Sequence, residues 1–149
     1  QFFAEHRLRA QLELAAGNGL SQSVVDRGYR LAAALPAVFA DYAPSPSLLH
    51  GDLWGGNWAC DLSGQPFIFD PARYYGDRDA DLAMTELFGG FPDSFYRAYD
   101  GVLPRAPVYP LRRELYNLYH VLNHFNLFGG GYVAQAGTMI KRLLAEVGA

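Results

Sequence analysis

Hydrophobic residues recur every three to four positions along most of the chain, which is the period of amphipathic helices. The pattern predicts six helices, over residues 2–16, 21–42 (with a bend at Pro36), 79–88, 93–100, 111–128 and 132–147. The clearest of them is 111–128, whose apolar stripe is uninterrupted and is followed by three consecutive glycines. Helix is therefore the predominant predicted structure.

Two short segments depart from this period. Residues 58–62 and 66–69 have the composition of strands, and Ser63-Gly64-Gln65 between them is a turn sequence, so a β-hairpin is predicted. No repeat and no low-complexity tract divides the chain. The sequence predicts a mainly α (α+β) fold in which helices surround a short hairpin, in a single domain covering residues 1–149.

Composition narrows the classes of function. Half of the 149 residues are apolar and 18% are charged, which suits a packed globular protein. The net charge is −3 and the twelve basic residues are scattered, so a nucleic-acid partner is not expected. The longest apolar run, 31–40, is too short for a membrane span. The single cysteine, Cys60, and the lack of a signal-peptide pattern indicate a cytoplasmic protein.

Three oxygen-bearing side chains flank the predicted hairpin. Asp52 lies in a glycine-rich loop, Asn57 follows five positions later at the first strand, and Asp70 ends the second strand. Because a hairpin brings its ends together, Asn57 and Asp70 are expected to converge as a hard, oxygen-only site for Mg²⁺. Pro71 favours extended backbone at Asp70. Asp52 is then available to accept a hydroxyl proton, so the spacing indicates phosphoryl transfer.

These residues resemble the catalytic and metal loops of the protein-kinase-like fold. His-Gly-Asp at 50–52, where protein kinases have His-Arg-Asp, is similar to the branch that contains aminoglycoside phosphotransferases and choline kinases. Within that branch, four segments in order resemble the fructosamine (ketosamine-3-) kinase family. They are FFAEHRLRAQLELA (2–15), HGDLWGGN (50–57), DPARYYGDRDADLAMTELFGGF (70–91) and LYNLYHVLNHFNLFGGGY (115–132).

The resemblance implies an enzyme that uses ATP to phosphorylate the C3 hydroxyl of a ketosamine, free or attached to protein lysine, in a deglycation repair reaction. Asp52 would orient and deprotonate this hydroxyl. Asn57 and Asp70 would hold Mg²⁺ on the ATP phosphates and thereby bind the nucleotide. Trp54 would lie against the substrate sugar, since an indole face suits the C–H face of a sugar.

The resemblance also implies that this chain is only the C-terminal lobe of a kinase fold. Lys141 is the only lysine, so the ATP-binding lysine and glycine-rich turn are expected in an N-terminal lobe of about 130 further residues, acting in cis. The isolated chain is expected to bind ATP poorly and to be inactive. Two alternative functions stay open: another small-molecule kinase, acting on an aminoglycoside or choline, and a non-catalytic binding remnant.

Several further polar residues have structural explanations. His50 is expected to hydrogen-bond beneath the loop rather than act as the base. Asp81 is expected to begin a helix, or, as the resemblance to kinase-like folds implies, to hold the backbone of the catalytic loop. Glu86 is expected to face solvent rather than a cationic group of the substrate.

For four other residues the sequence is less decisive. His120 and His124 have the i, i+4 spacing of a transition-metal pair but lack a third ligand, so packing or a pocket wall is favoured. Arg73 and Arg78 either contact phosphate or pair with nearby acids. The sequence also leaves open the preferred sugar adduct and the oligomeric state.

Overall fold

The computed structural model describes residues 1–148, which form six α-helices and four short β-strands in two compact units. The helical unit comprises residues 1–43 and the chain from Leu118 onward, and the hairpin unit comprises residues 44–117. The predicted mainly α (α+β) class is confirmed. No helix within residues 1–148 has both the length and the apolar character that a membrane span requires.

The elements follow the predicted order closely. They are a π-helical segment Phe3–Arg9, α1 (Ala10–Gly17), α2 (Gln22–Val38), β1 (Ser47–Leu49), β2 (Trp58–Cys60), β3 (Pro66–Ile68), β4 (Tyr74–Gly76), α3 (Arg78–Leu87), α4 (Asp93–Val102), α5 (Tyr109–Phe128), a 3₁₀ turn Gly130–Tyr132 and α6 (Val133–Val147).

The core of the helical unit is built from aliphatic side chains of α1, α2, α5 and α6. Helix α2 packs against α1 and α6. At Gly28 of α2 a Cβ atom would lie 2.5 Å from Cδ2 of Leu12, so the Leu12 side chain packs directly against the α2 backbone. Fully buried members of the core include Leu8, Leu12, Leu31, Leu122, Ile140 and Leu143.

Helix α2 is shorter than predicted, since it ends at Val38 and not near Tyr42. Pro36 lies inside its last turn and has no N–H group to donate to the preceding turn. The Phe39 N–H makes one of the last helical bonds, to the Leu35 carbonyl oxygen at 3.2 Å. The helix therefore stops within one turn of the proline.

In the hairpin unit, two antiparallel strand pairs frame the predicted chemistry. Strands β2 and β3 form the predicted hairpin, with Trp58 opposite Ile68. Strand β2 is shorter than predicted because the Asp61 carboxylate accepts the N–H groups of Ser63 and Gln65 and starts the turn early, and β3 ends one residue earlier than predicted, at Ile68. Strands β1 and β4, whose pairing was not predicted, place Leu49 opposite Tyr74. Helix α3 packs against β1, and Leu49, Leu82, Ala83, Met84 and Leu115 are buried.

Candidate active site

The loop between β1 and β2 is held in shape by its own hydrogen bonds. The Trp54 N–H donates to the Asp52 carbonyl oxygen at 3.1 Å, and the Asn57 N–H donates to the Trp54 carbonyl oxygen at 3.0 Å. The Asn57 side chain then folds back, because its Nδ2 donates to the carbonyl oxygen of Asp52 at 2.8 Å and to Oδ2 of Asp52 at 3.0 Å. The Asp52 carboxylate is thus held in a fixed position relative to Asn57.

These contacts also orient the Asn57 amide. The side chain is buried, with 7% of its surface exposed. A backbone carbonyl and an ionised carboxylate only accept hydrogen bonds, so it is the amide nitrogen that faces Asp52. Within residues 1–148, no protein donor bonds to the amide oxygen Oδ1. The structure therefore places an oriented, uncommitted oxygen beside the Asp52 carboxylate.

The hairpin brings the segment before Asp70 to the same place. The Phe69 N–H donates to the Asn57 carbonyl oxygen at 3.1 Å, and the Phe69 carbonyl oxygen contacts Nε2 of His50 at 2.8 Å. Asp70 therefore follows a residue, Phe69, that is hydrogen-bonded both to Asn57 of the loop and to the His50 side chain. The Asp70 carboxylate is exposed and has no protein partner in the described part of the chain.

The expectation that Pro71 keeps Asp70 extended is wrong. Asp70 has a φ of 54°, and it is the one non-glycine residue of the described chain with positive φ. The two hydrogen bonds of Phe69 fix the chain immediately before this point and outweigh the preference that a following proline imposes. Aspartate tolerates the left-handed region better than most residues, and such strain often accompanies functional sites.

His50 supports the loop, as predicted, and does not act as a free base. Its Nε2 faces the carbonyl oxygen of Phe69, which only accepts, so Nε2 carries the proton. Its Nδ1 accepts the N–H of Asp52 at 3.3 Å. Both ring nitrogens are therefore used, and the ring joins the loop to the end of the hairpin.

Asp81 holds the start of the loop, which confirms the second of the two roles expected for it. Its Oδ2 accepts the His50 N–H at 2.7 Å and its Oδ1 accepts the Gly51 N–H at 2.9 Å. Burial raises the pKa of Asp81, and these two backbone hydrogen bonds oppose that rise. The helix-start role belongs instead to Asp77, whose side chain accepts the Asp79 N–H at the N-cap of α3.

Gly51 is required by the same arrangement. Its φ is 82°, and a Cβ atom would lie 2.2 Å from the carbonyl oxygen of Ala72. The backbone just after Asp70 thus packs directly against the residue before Asp52.

Trp54 packs its indole ring against Gly56, where a Cβ atom would lie 2.3 Å from the ring. Trp54 as a residue remains 39% exposed. It therefore offers an open aromatic surface within the loop that carries Asp52.

The structure corrects the prediction for Glu86 and resolves the one left open for Arg78. Glu86 is not solvated: its side chain is 20% exposed and accepts hydrogen bonds from Tyr109 at 2.6 Å and Arg113 at 2.6 Å. The error arises because these partners lie 23 and 27 residues away along the chain. Arg78, for which the sequence left open a phosphate contact or a pair with a nearby acid, lies 4.0 Å from the Asp79 carboxylate, which agrees with the second alternative. It also donates to the carbonyl oxygens of Leu103 and Pro104, so its contacts are structural.

A buried ion pair that the sequence did not reveal holds α3 to α5. Arg112 donates through two nitrogens to Oδ2 of Asp79, at 2.9 and 2.7 Å, and both side chains are at most 2% exposed. The pair joins the first turn of the helix that carries Asp81. No local sequence signal marks it, because the partners are 33 residues apart.

The histidine pair of α5 lies in the helical unit. His124 Nδ1 contacts the His120 carbonyl oxygen at 2.8 Å. Burial, with smaller effects of His124 and Arg7, lowers the pKa of His120 to about 4, so its ring is neutral at physiological pH. Within residues 1–148, no three His, Cys, Asp or Glu side chains are grouped to hold a metal ion.

Comparison with known proteins identifies close relatives. The family model described as fructosamine kinase matches residues 1–146. The chain is 54% identical over 146 residues to a "probable ketoamine kinase" of Synechocystis sp. and 41% identical over 143 residues to ketosamine-3-kinase of Mus musculus. A crystal structure from Thermobifida fusca, assigned to the fructosamine-3-kinases, superposes with a TM-score of 0.86 at 34% identity.

The chain spans about half the length of the curated relatives it matches. The alignments cover 96% of this chain, but 48% of the Synechocystis protein and 46% of the mouse protein. The Thermobifida fusca structure is likewise covered to 50%, with 97% of this chain.

Proposed function

The chain belongs to the fructosamine kinase family, and on that premise we propose that it forms the catalytic C-terminal part of an ATP-dependent ketosamine kinase. The reaction is transfer of the γ-phosphoryl group of ATP to the C3 hydroxyl of a ketosamine, free or on protein lysine, as a step in deglycation. One observation carries this proposal. The side-chain amide of Asn57 donates to the Asp52 carboxylate at 3.0 Å, and the backbone carbonyl oxygen of the same Asn57 accepts the N–H of Phe69, the residue before Asp70.

Asp52 is the proposed catalytic base. Its Oδ2 is positioned by Asn57 and it is only partly buried, so the other carboxylate oxygen is available to a substrate. There it would accept the hydroxyl proton as the sugar oxygen forms its bond to phosphorus. The oxygen that leaves with ADP takes the electron pair of the broken P–O bond.

Asn57 and Asp70 have the donor chemistry that Mg²⁺ requires. The Oδ1 of Asn57 and the carboxylate of Asp70 are hard oxygens without protein partners in residues 1–148. Mg²⁺ commonly takes one or two protein oxygens and completes its coordination with water and phosphate. These two residues would hold the ion, which neutralises phosphate charge when bound.

An exposed aromatic surface next to Asp70 suits the nucleotide base. Phe67 in β3 and Phe69 just after it are two positions apart, so their side chains lie on the same face of the extended chain. Their ring centroids are 5.9 Å apart and both residues are exposed. The sequence interpretation did not assign these rings, although their i, i+2 spacing was visible. They offer a stacking surface for adenine on the C-terminal side only. We therefore propose that an N-terminal lobe completes the nucleotide site in cis.

Trp54 is the proposed sugar-binding residue. Its ring, packed on Gly56, presents a flat apolar face two residues from Asp52. Such a face binds the C–H surface of a sugar and leaves the hydroxyl groups free for polar contacts. The proposed setting is the cytoplasm, where the lone exposed Cys60 stays reduced.

The experiment joins this chain to the N-terminal half of the Synechocystis relative and supplies ATP, Mg²⁺ and fructosyl-lysine. We expect the joined protein to form a C3-phosphorylated product and the chain alone to form none. Aminoglycoside and choline are tested in parallel, and phosphorylation of either in place of fructosyl-lysine contradicts the ketosamine assignment. Micromolar ATP binding by the chain alone would contradict the need for a second lobe.

A further inference from the structure

A second concave site lies in the hairpin unit. It is a cavity of about 490 Å³, lined by Trp58, Pro66, Phe67 and Ile68 of the hairpin and by Phe91, Pro92, Ser94 and Phe95 at and just before the start of α4. Phe67 therefore borders both this cavity and the surface proposed for adenine. The volume falls in the range of pockets that hold small molecules, roughly 300–1,000 Å³. Its lining carries no charged side chain and one hydroxyl group, so the chemistry favours an uncharged, apolar occupant.

The far wall of the cavity is fixed before any ligand arrives. The Phe91 ring contacts Trp58 at 5.4 Å and Phe95 at 4.9 Å between centroids. The Tyr96 hydroxyl accepts the Phe91 N–H at 3.2 Å and bonds with Oγ1 of Thr85 at 3.1 Å. Because Thr85 belongs to α3, the aromatic wall is anchored to the helix that also carries the loop-holding aspartate.

The cavity also adjoins the loop of the proposed active site. Trp58 directly follows Asn57, whose amide holds the Asp52 carboxylate. On the other side, the Phe88 carbonyl oxygen lies 3.7 Å from where a Cβ atom of Gly55 would be. The segment that leads to the aromatic wall therefore touches the loop that carries the proposed sugar-binding residue.

We propose that this cavity binds an apolar or aromatic side chain of the peptide residue next to the glycated amine, and so selects among protein-bound ketosamines. The inference rests on the proposed function, because it needs the sugar to sit at the neighbouring loop. The cavity removes an apolar side chain of this adjacent peptide residue from water, which favours binding. A charged side chain at that position would lose its hydration without gaining an ion pair or hydrogen bond in the cavity. The cavity therefore determines substrate specificity and takes no part in the chemical step.

The test measures binding to the chain itself by calorimetry, without ATP. Three peptides that carry fructosyl-lysine are compared, with phenylalanine, serine or glutamate next to the modified lysine. Burial of one phenyl ring predicts that the phenylalanine peptide binds about tenfold or more tightly than the other two. Equal binding of the three peptides, or binding of none, overturns the inference.

Variants locate the effect. Ser94→Tyr places a ring in the cavity from an exposed position, and Phe95→Ala removes part of its wall; both should abolish the preference for phenylalanine. Phe128→Ala, an exposed aromatic residue of the helical unit, is the matched control and should retain it. A preference for phenylalanine that persists in Ser94→Tyr overturns the inference. Because Ser94 is exposed, this variant keeps the test valid even if Phe95→Ala does not fold.

Two further measurements separate this inference from the function it rests on. Unglycated peptides should keep the order phenylalanine above serine but bind more weakly. If the unglycated peptides bind as tightly as the glycated ones, the binding of the phenylalanine side chain in the cavity is supported, but the proposed sugar site beside Trp54 is contradicted. If sedimentation shows a dimer that Ser94→Tyr disrupts, a second copy of the chain fills the cavity and the inference is overturned.

Discussion

Replacement of Asp81 with alanine should loosen the loop that carries Asp52 without altering Asp52 itself. Asp81 accepts the N–H groups of His50 and Gly51 at 2.7 and 2.9 Å. A hydrogen bond to a charged group contributes about 1.5–3 kcal/mol, part of which water restores at a half-buried site. Alanine also gains about 0.5 kcal/mol in helix propensity. We expect Asp81→Ala to lower the free energy of unfolding by about 2–4 kcal/mol.

Asp81→Asn tests whether the two hydrogen bonds are the cause. Asparagine keeps one acceptor oxygen but turns its amide nitrogen toward the other backbone N–H, so about half of the loss is expected. Asp41→Ala, which removes an exposed carboxylate of the helical unit, should change the free energy of unfolding by less than about 0.5 kcal/mol.

The assay is urea unfolding followed by tryptophan fluorescence. Trp54 and Trp58 are the two tryptophans of the chain and both lie in the hairpin unit, so the signal reports the unit that contains Asp81. The reasoning is refuted if Asp81→Ala unfolds at the same urea concentration as Asp41→Ala. It is also refuted if the alanine and asparagine variants are equally destabilised.

The pH dependence supplies an independent check. Burial raises the pKa of Asp81 above its ordinary value of 3.8. Since the folded pKa is the higher one, the stabilising contribution of this titration is complete below about pH 3.8 and is lost as pH rises through the folded pKa. The stability advantage of the wild type over Asp81→Asn should therefore narrow as pH rises. A constant or widening difference contradicts the raised pKa.

Five further outcomes are expected. In the joined enzyme, Asp52→Asn should lower turnover by about 10²–10⁴-fold and leave the affinity for ATP unchanged. Asp70→Asn should raise the Mg²⁺ concentration needed for ATP binding. Near-normal activity of both variants would contradict the roles proposed for these residues. Gly51→Ala should cost about 3 kcal/mol or more in urea unfolding, because its Cβ would lie 2.2 Å from a backbone oxygen. Since burial lowers the pKa of His120 to about 4, wild-type stability should fall as pH drops from 6.5 toward 4, by about 1.4 kcal/mol per unit of pKa difference. His120→Leu should flatten that slope, and an unchanged slope would exclude His120 as its source.

The hairpin and the long helices were predictable because their signals are local. Alternation and a turn sequence mark β2 and β3, and the apolar stripe of α5 repeats over several turns. The pairing of β1 with β4 was not predictable, since each strand has three residues and Leu49 meets Tyr74 across 25 positions. The surroundings of Glu86 were predicted wrongly for the same reason, as its partners come from another helix.

The sequence by itself determined which chemical groups the proposed site contains. The types and spacing of Asp52, Asn57 and Asp70, together with four ordered segments, were enough to indicate the family, because a reaction fixes the side chains it needs. Residue types and their spacing can be read directly from the sequence.

Only the tertiary structure decided how those groups are held. It turned the Asn57 amide onto the Asp52 carboxylate, placed Asp70 in the left-handed region against the preference set by Pro71, and gave Asp81 to the loop and not to the helix start. The first result is a contact within one loop, whereas the other two depend on hydrogen bonds between segments 19 and 31 positions apart. The long-range contacts form only when the chain has folded, so no local pattern encodes them, and the local one depends on a side-chain orientation that residue types alone do not specify.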